Sequence, residues 1–445
     1  MINAAACPDL SILVFAMHIP RHAAWTLLAA SSLTVMSGAT IAPALPAIRD
    51  AYADAWQAEL MVKLVLTLPA LLIALIAPMG GFLLGRFGRK PVLLMGLLLY
   101  ALAGSSGGWM PASWTIYAML VGRALLGVAV ALIMVSATTL IGDYFSGERR
   151  RGVLGLQSAF MAGGGVLFLL LGGVLADADW RLPFGIYLLS VLILPTAWSL
   201  PEPPRNESDR STDATSLAAA TPIFLIALGL MVVFYLVPTQ LPFLLESVLT
   251  EQAGAGGLLS GGAIAASTAA GVVTGLTYAR LRRPLGLHGV NTCACALMAS
   301  GFALVWLAPM LESGWGAAYA LLVLGMGVYG LGSGILMPNL NNWLLDVVPE
   351  RSRGRAVGML TAAFFLGQFL SPIVTAPAIG TVGIAGSFGL ASLLLMACAM
   401  SSAFFVPGIR HALSVRQCAY QDPLGPCPGM DRDSDRLEPR VPTRR

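Results

Sequence analysis

Long apolar runs broken by short polar gaps make up most of the chain. Residues 356–409 hold no Asp, Glu, Lys or Arg across 54 positions, whereas about 20 apolar residues already cross a bilayer as a helix. Charge-free length and flanking turn residues predict twelve membrane-crossing helices. They fall near 25–47, 59–84, 91–110, 114–141, 152–176, 182–200, 222–246, 256–280, 287–308, 316–345, 356–378 and 383–407. The expected fold class is an all-α membrane protein. Two polar stretches without apolar periodicity punctuate it: residues 201–221 read as a flexible linker, and 408–445, rich in Pro and Arg, as a disordered tail. Residues 1–24 form an N-terminal segment whose apolar stretch, Leu10 to Ile19, is too short to span and lacks a basic flank. A signal peptide is not expected, and Met17 is an alternative start.

The chain also repeats itself. At an offset of 203 residues Gly122 falls on Gly325, Gly127 on Gly330, Asp143 on Asp346, Arg150 on Arg353, Gly155 on Gly358 and Gly164 on Gly367. Spans 4 and 5 therefore match spans 10 and 11. An offset of 193 puts Arg89, Lys90 and Pro91 on Arg282, Arg283 and Pro284, relating the hairpin of spans 2 and 3 to that of 8 and 9. Spans 1 and 7 both end in spaced prolines, Pro43 and Pro46 in one, Pro238 and Pro242 in the other. Two pseudo-symmetric six-helix bundles follow, 25–200 and 222–407. Substrate sites in such duplicated proteins form near the midplane, where the halves meet and rock. The small-residue runs at 161–165, 261–271 and 330–334 serve helix packing, sliding, or both.

Charge adds an orientation. With both tails placed inside, 22 of the 26 basic residues lie in the inner segments; only Arg49 and Arg181 lie outside, and Lys63 and Arg123 within spans. Both termini are expected in the cytoplasm. This distribution is an orientation signal, so no nucleic-acid partner is expected; the lipid bilayer is the partner that the composition demands. The six cysteines form no C-x-x-C pair, and metal or disulfide chemistry is not expected. No nucleotide-binding loop and no Ser-His-Asp, His-rich or paired-carboxylate cluster occurs, so neither ATP-driven transport nor an enzyme is indicated, and no cofactor.

Between spans 2 and 3 stands GGFLLGRFGRKP. It resembles the signature of the major facilitator superfamily, Gly-x-Leu-Ala-Asp-Arg-x-Gly-Arg-Lys, through Gly81, Leu83, Arg86, Gly88, Arg89 and Lys90, with Gly85 in place of the Asp. GRALLG in span 4 is similar to the family's Arg-x-x-x-Gly pattern through Arg123 and Gly127. Span 5 keeps Gly155, Gly164, Gly172 and Gly173 of the exporter signature, but Phe168 and Leu169 replace its Gly-Pro step. The resemblance covers about 25–407. It implies the major facilitator fold, alternating access, and a cytoplasmic latch between the halves, in which Arg86 and Arg89 need counter-charges; Asp143, and Asp346 in the second half, are the candidates.

Arg123 is the most exceptional residue, because an Arg within a span costs at least ~2.5 kcal/mol on insertion scales. A pathway role and a structural hydrogen-bonding role are both open to it. Polar groups within spans must face the bundle interior: Ser37, Thr40, Tyr235, Gln240, Asn339, Asn342 and Gln368 could line a mainly apolar cavity near Phe160, Phe364 and Phe365, or serve interhelical hydrogen bonds. Lys63 reads as an exposed i,i+4 partner of Glu59 or as a snorkelling side chain at the end of span 2. Every acidic residue falls at a span end or in a loop, so no proton carrier is assigned; Asp50, Asp54, Glu59 and Asp143 are the ones near spans 1, 2 and 4. The expectation is a monomeric secondary transporter of the bacterial inner membrane, exporting small amphipathic drug-like or metabolite-like solutes against protons. The alternative is an importer or uniporter of a small organic acid.

Overall fold

The computed structural model describes Pro20 and residues 22–110, 115–203, 220–249, 256–311, 314–349 and 352–421, with side chains up to 403. Among them, nine continuous helical stretches are long and apolar enough to cross a membrane. Seven are single passes: α1 (Ala23–Ala51), α2 (Ala58–Phe87), α3 (Arg89–Trp109), α4 (Ile116–Tyr144), α5 (Gly147–Ala178), α7 (Thr221–Val248) and α10 (Trp315–Val347). The other two, Gly256–Met310 and Arg353–Ala403, turn back at Gly286 and Gly383, whose φ values of 67° and 74° only glycine adopts easily. Each thus contains two passes, α8 (256–285) with α9 (287–310), and α11 (353–382) with α12 (384–421).

The contacts on α10 show the reversal. Along α8, Ser267 meets Gly330 and Gly271 meets Gly334, so α8 runs parallel to α10; along α9, Ala294 meets Gly332 and Gly301 meets Gly325, which is antiparallel. The twelfth pass, α6 (Leu182–Trp198), joins seven residues of 3-10 helix to ten of α-helix. The 3-10 turn rises about 2 Å per residue against 1.5 Å, so these residues still reach about 30 Å. All twelve predicted spans are accounted for, and the chain is a multi-pass membrane protein.

The prolines act where expected. Pro43 and Pro46 break α1 into a 3-10 turn, Ala42–Ala44, and a final helix, Leu45–Ala51; α7 is interrupted at Tyr235, before Pro238 and Pro242. A proline supplies no N–H and crowds the preceding turn, so the helix re-aims there.

Glycines matched between the two repeats make matched crossings. A Cβ on Gly127 would lie 2.4 Å from the Pro69 carbonyl oxygen of α2, and one on Gly330 would lie 2.1 Å from that of Ser267 in α8. Gly164 rests on Ser32 of α1, and Gly367 on the Leu228 carbonyl of α7. Gly122 faces α3 at Ser106, and Gly325 faces α9 at Gly301. Small residues at equivalent positions let equivalent backbones touch.

Several expectations fall partly outside the described residues. Of the linker, 201–203 and 220–221 are described, Thr221 already opening α7, and 204–219 are not; of the terminal segments, 1–19, 21 and 422–445 are not. The last helix continues to Gln421, beyond residue 407, where the span was expected to end.

Candidate functional site

Arg123 projects from α4 into the first half, where it is 2% exposed. Its Nη1 donates to the Tyr187 hydroxyl at 3.0 Å, and that hydroxyl donates to the Ser37 carbonyl at 2.8 Å. The guanidinium carbon lies 4.7 Å from the Phe184 ring centroid and 5.1 Å from that of Tyr187, so α6 holds the cation by its aromatic faces. Tyr100 of α3 packs on Tyr187 with centroids 5.4 Å apart and donates to the Leu33 carbonyl at 2.7 Å. Nη2 is fully buried and has no hydrogen-bond partner among the described residues. A charge held without a carboxylate keeps an unspent electrostatic demand, costly in a low-dielectric interior.

The other half approaches this cluster through Tyr235, at the break in α7. A Cβ on Gly38 would stand 3.1 Å from the Tyr235 hydroxyl, so that phenol lies beside α1 one residue from Ser37. Ser37 and Thr40 turn their own hydroxyls back to the carbonyls of Thr34 and Met36, at 2.9 Å each. Gln240, five residues beyond Tyr235, is fully buried, and neither amide atom is hydrogen-bonded among the described residues.

Asn339 and Asn342 gather elsewhere, inside the second half. The Tyr278 hydroxyl donates to Asn339 Oδ1 at 3.0 Å, while Asn339 Nδ2 donates to the Leu287 carbonyl at 3.1 Å and to Asn291 Oδ1 at 2.7 Å. Asn342 Nδ2 donates to Tyr278 at 3.3 Å and to the Pro338 carbonyl at 2.9 Å. These amides tie α8, α9 and α10 together, Asn339 through both amide atoms and Asn342 through its Nδ2. Gln368 and the aromatics Phe364 and Phe365 are half-buried on α11; Phe160 packs on Trp25 with centroids 5.7 Å apart. Arg123 and Ser37 thus lie in one cluster, which Tyr235 of the other half approaches, and Asn339 and Asn342 in a second.

One end of the molecule carries the predicted loop residues; it is termed the linker end. Arg89 Nε lies 2.9 Å from Asp143 Oδ2, an ion pair whose approach is off the N–H axis. Its repeat partner, Arg282, bonds Asp346 at 2.7 Å. The two pairs are thus related residue for residue by the offsets of 193 and 203, and each lies within its own half. Arg86 lies over Phe87 at 5.8 Å and Lys90 over Trp198 at 5.7 Å. Gly81 and Gly85 have nothing within 4 Å of a Cβ.

A carboxylate that the sequence reading did not single out stands here. Glu202 accepts from the backbone N–H groups of Arg89 at 2.7 Å and Lys90 at 2.8 Å, capping α3. Gly88, at φ 92°, turns the chain beneath it, and a Cβ there would lie 2.8 Å from Glu202 Oε1. The Tyr144 hydroxyl donates to the Pro201 carbonyl at 2.6 Å, fixing the first linker residues on α3 and α4. Tyr187, Phe184, Tyr278 and Asn291 also went unremarked. Periodicity marks such residues as core without saying which cation or amide they meet.

At the opposite, far end the halves touch. α5 and α8 run antiparallel: Gly165 meets Thr268, Gly261 meets the Leu169 carbonyl, and Gly173 meets the Gly257 carbonyl. Towards the linker end the same helices part, and Gly152, Gly155 and Gly163 of α5 have nothing within 4 Å. Lys63 corrects its reading. It pairs with Glu59 at 2.5 Å as expected, yet is only 4% exposed, because Phe243 of α7 lies across it at 5.2 Å.

Comparison with known proteins agrees with this architecture. The sequence profile of the Major Facilitator Superfamily matches residues 27–372. The chain is 27% identical over 359 residues to the tetracycline resistance protein, class E, of Escherichia coli, covering 77% of this chain and 84% of that one. It is 24% identical over 337 residues to the bacillibactin exporter of Bacillus subtilis strain 168, covering 71% and 80%. Among solved structures, a peptide transporter POT in complex with sulfate superimposes with a TM-score of 0.70 at 14% identity, over 91% of this chain and 99% of that one.

Proposed function

The chain belongs to the major facilitator superfamily and is a secondary transporter; on that premise we propose that it exports small amphipathic solutes from the cytoplasm in exchange for protons, by alternating access. One observation carries the reading: α5 and α8 are joined from 165–268 to 173–257 and parted beyond Gly163. Halves joined along α5 and α8 at the far end and parted there towards the linker end frame a cleft on the linker side, and rocking reverses it. With the linker end placed in the cytoplasm of a bacterial inner membrane, as the basic residues suggest, this state is open inward.

The cleft floor supports an apolar or amphipathic solute better than a sugar. Ser37 and Thr40 spend their hydroxyls on their own helix, and the Asn339 amide and the Asn342 Nδ2 are occupied. Tyr235 and Gln368 remain as points for orientation, while Arg123 acts on the cleft through Tyr187 and not by open contact. The names of the tetracycline resistance protein and the bacillibactin exporter favour outward transport. Protons are the coupling ion in this reading, and at the linker end Arg89–Asp143 and Arg282–Asp346 each brace their own half.

Inverted vesicles containing the purified chain, loaded with a pH indicator and offered a panel of amphipathic cations, test the exchange. Solute-dependent proton release is expected. Solute movement without proton flux would overturn the coupling, and organic-acid uptake by whole cells, with no transport of the cations, would favour the importer.

A further inference from the structure

Resting on the alternating-access reading above, we propose that Arg49 and Asp177 form a two-point lock that holds the far end shut and sets the balance between the two access states. Arg49, in the last turn of α1, meets Glu246 of α7 with both forks: Nη1 to Oε2 at 3.1 Å and Nη2 to Oε1 at 2.8 Å. Its Nε and Nη2 also reach Asp50 Oδ1 at 2.9 and 2.7 Å. Asp50 follows Pro46 by the same interval as Glu246 follows Pro242, so the two carboxylates are repeat-related, one from each half. A single guanidinium spans them.

The second half has no such cation, because Leu245 stands where Arg49 would recur. When the halves separate here, Asp50 keeps Arg49 and Glu246 is left alone. A bidentate Arg–carboxylate pair is geometrically exacting, so the contact is lost in full once the helices part. Phe243 lies under both neighbouring cations, 5.6 Å from Arg49 and 5.2 Å from Lys63, and braces the joint from one side, while Arg49 and Glu246 stay 32% and 42% exposed.

Asp177, at the end of α5, supplies the second point. Its two oxygens accept from the backbone N–H groups of Gly257 at 2.7 Å and Leu258 at 2.9 Å, the opening turn of α8. Those donors have no partner within their helix, and a carboxylate there is favoured by the helix dipole. At the 203-residue offset Asp177 falls on Gly380, which has nothing within 4 Å, so the α11–α2 side lacks this tie. The contrast with the linker end is the basis of the assignment. Arg89–Asp143 and Arg282–Asp346 each close within one half and do not resist parting, whereas Arg49–Glu246 and Asp177–α8 bridge the halves.

Ser260 reports on the lock. It is 2% exposed, on the α8 face that carries Gly257 and Gly261. A Ser260→Cys reporter in an otherwise cysteine-free full-length chain, in intact cells, is exposed to a membrane-impermeant maleimide. Glu246→Gln or Asp177→Asn should speed labelling about fivefold, the size of a modest coupling between states, and the paired exchange Arg49→Glu with Glu246→Arg should return it towards the parent rate. Asp143→Asn should not speed it. Labelling of the parent that rises during transport, yet is unmoved by either substitution, would overturn the lock and leave alternating access standing. No labelling of any variant, the transporting parent included, would overturn alternating access and the lock with it.

Discussion

Asn339 and Arg123 illustrate opposite ways of burying polarity. Asn339 fills its amide with Tyr278, Leu287 and Asn291, so Asn339→Ala strands three groups. Each unmet buried partner costs about 1–3 kcal/mol, and thermal unfolding in detergent should show a marked loss of stability. Arg123 meets one hydroxyl and two rings. Lys carries the charge as a point and not as a plane, so Arg123→Lys should keep the protein inserted while lowering transport at least tenfold; wild-type rates would contradict a role beyond solvating one cation. Glu202→Ala removes a helix cap, and the loss should be about 1 kcal/mol by the same unfolding assay. Sequence marked Arg123 and Asn339 as polar groups that had to face inward. It could not name Tyr187 or Tyr278, because a tyrosine in an apolar run has the same periodicity whether or not it bonds a cation. Glu202 was hidden for another reason: it lies in a polar stretch that reads as linker, and only the folded chain brings it to α3.

At the scale of helices, nearly everything was legible, since a bilayer admits few alternatives to a closed helix and span length is set by its thickness. The repeat carried further than the spans. Its offsets paired Arg89 with Arg282 and Asp143 with Asp346, and those residues form the equivalent ion pairs. The Lys63–Glu59 pair was legible, but not its burial, which comes from Phe243, distant in the chain. The matched glycines make a graded prediction. Gly330→Val and Gly127→Val would force side chains into the backbones of Ser267 and Pro69, so overpacking should cost about 1–3 kcal/mol or more each. Gly155→Ala, with nothing within 4 Å, should change stability by no more than about 0.5 kcal/mol. Expression and melting of the three variants side by side separate crossing glycines from idle ones.

Over the whole molecule, joined far ends and parted linker ends of α5 and α8 make one member of a pair of states. The sequence implied two halves; which end is shut follows from contacts between residues far apart in the chain, such as Arg49 with Glu246. The most direct test places spin-label pairs at positions 152 and 283 for the linker end, and at 178 and 258 for the far end, in the protein reconstituted in lipid. Alternating access predicts two populations in each pair with opposite trends: as solute or pH changes, the 152–283 distance shortens while the 178–258 distance lengthens. A single unchanging distribution at both ends, in protein that still transports, would contradict it.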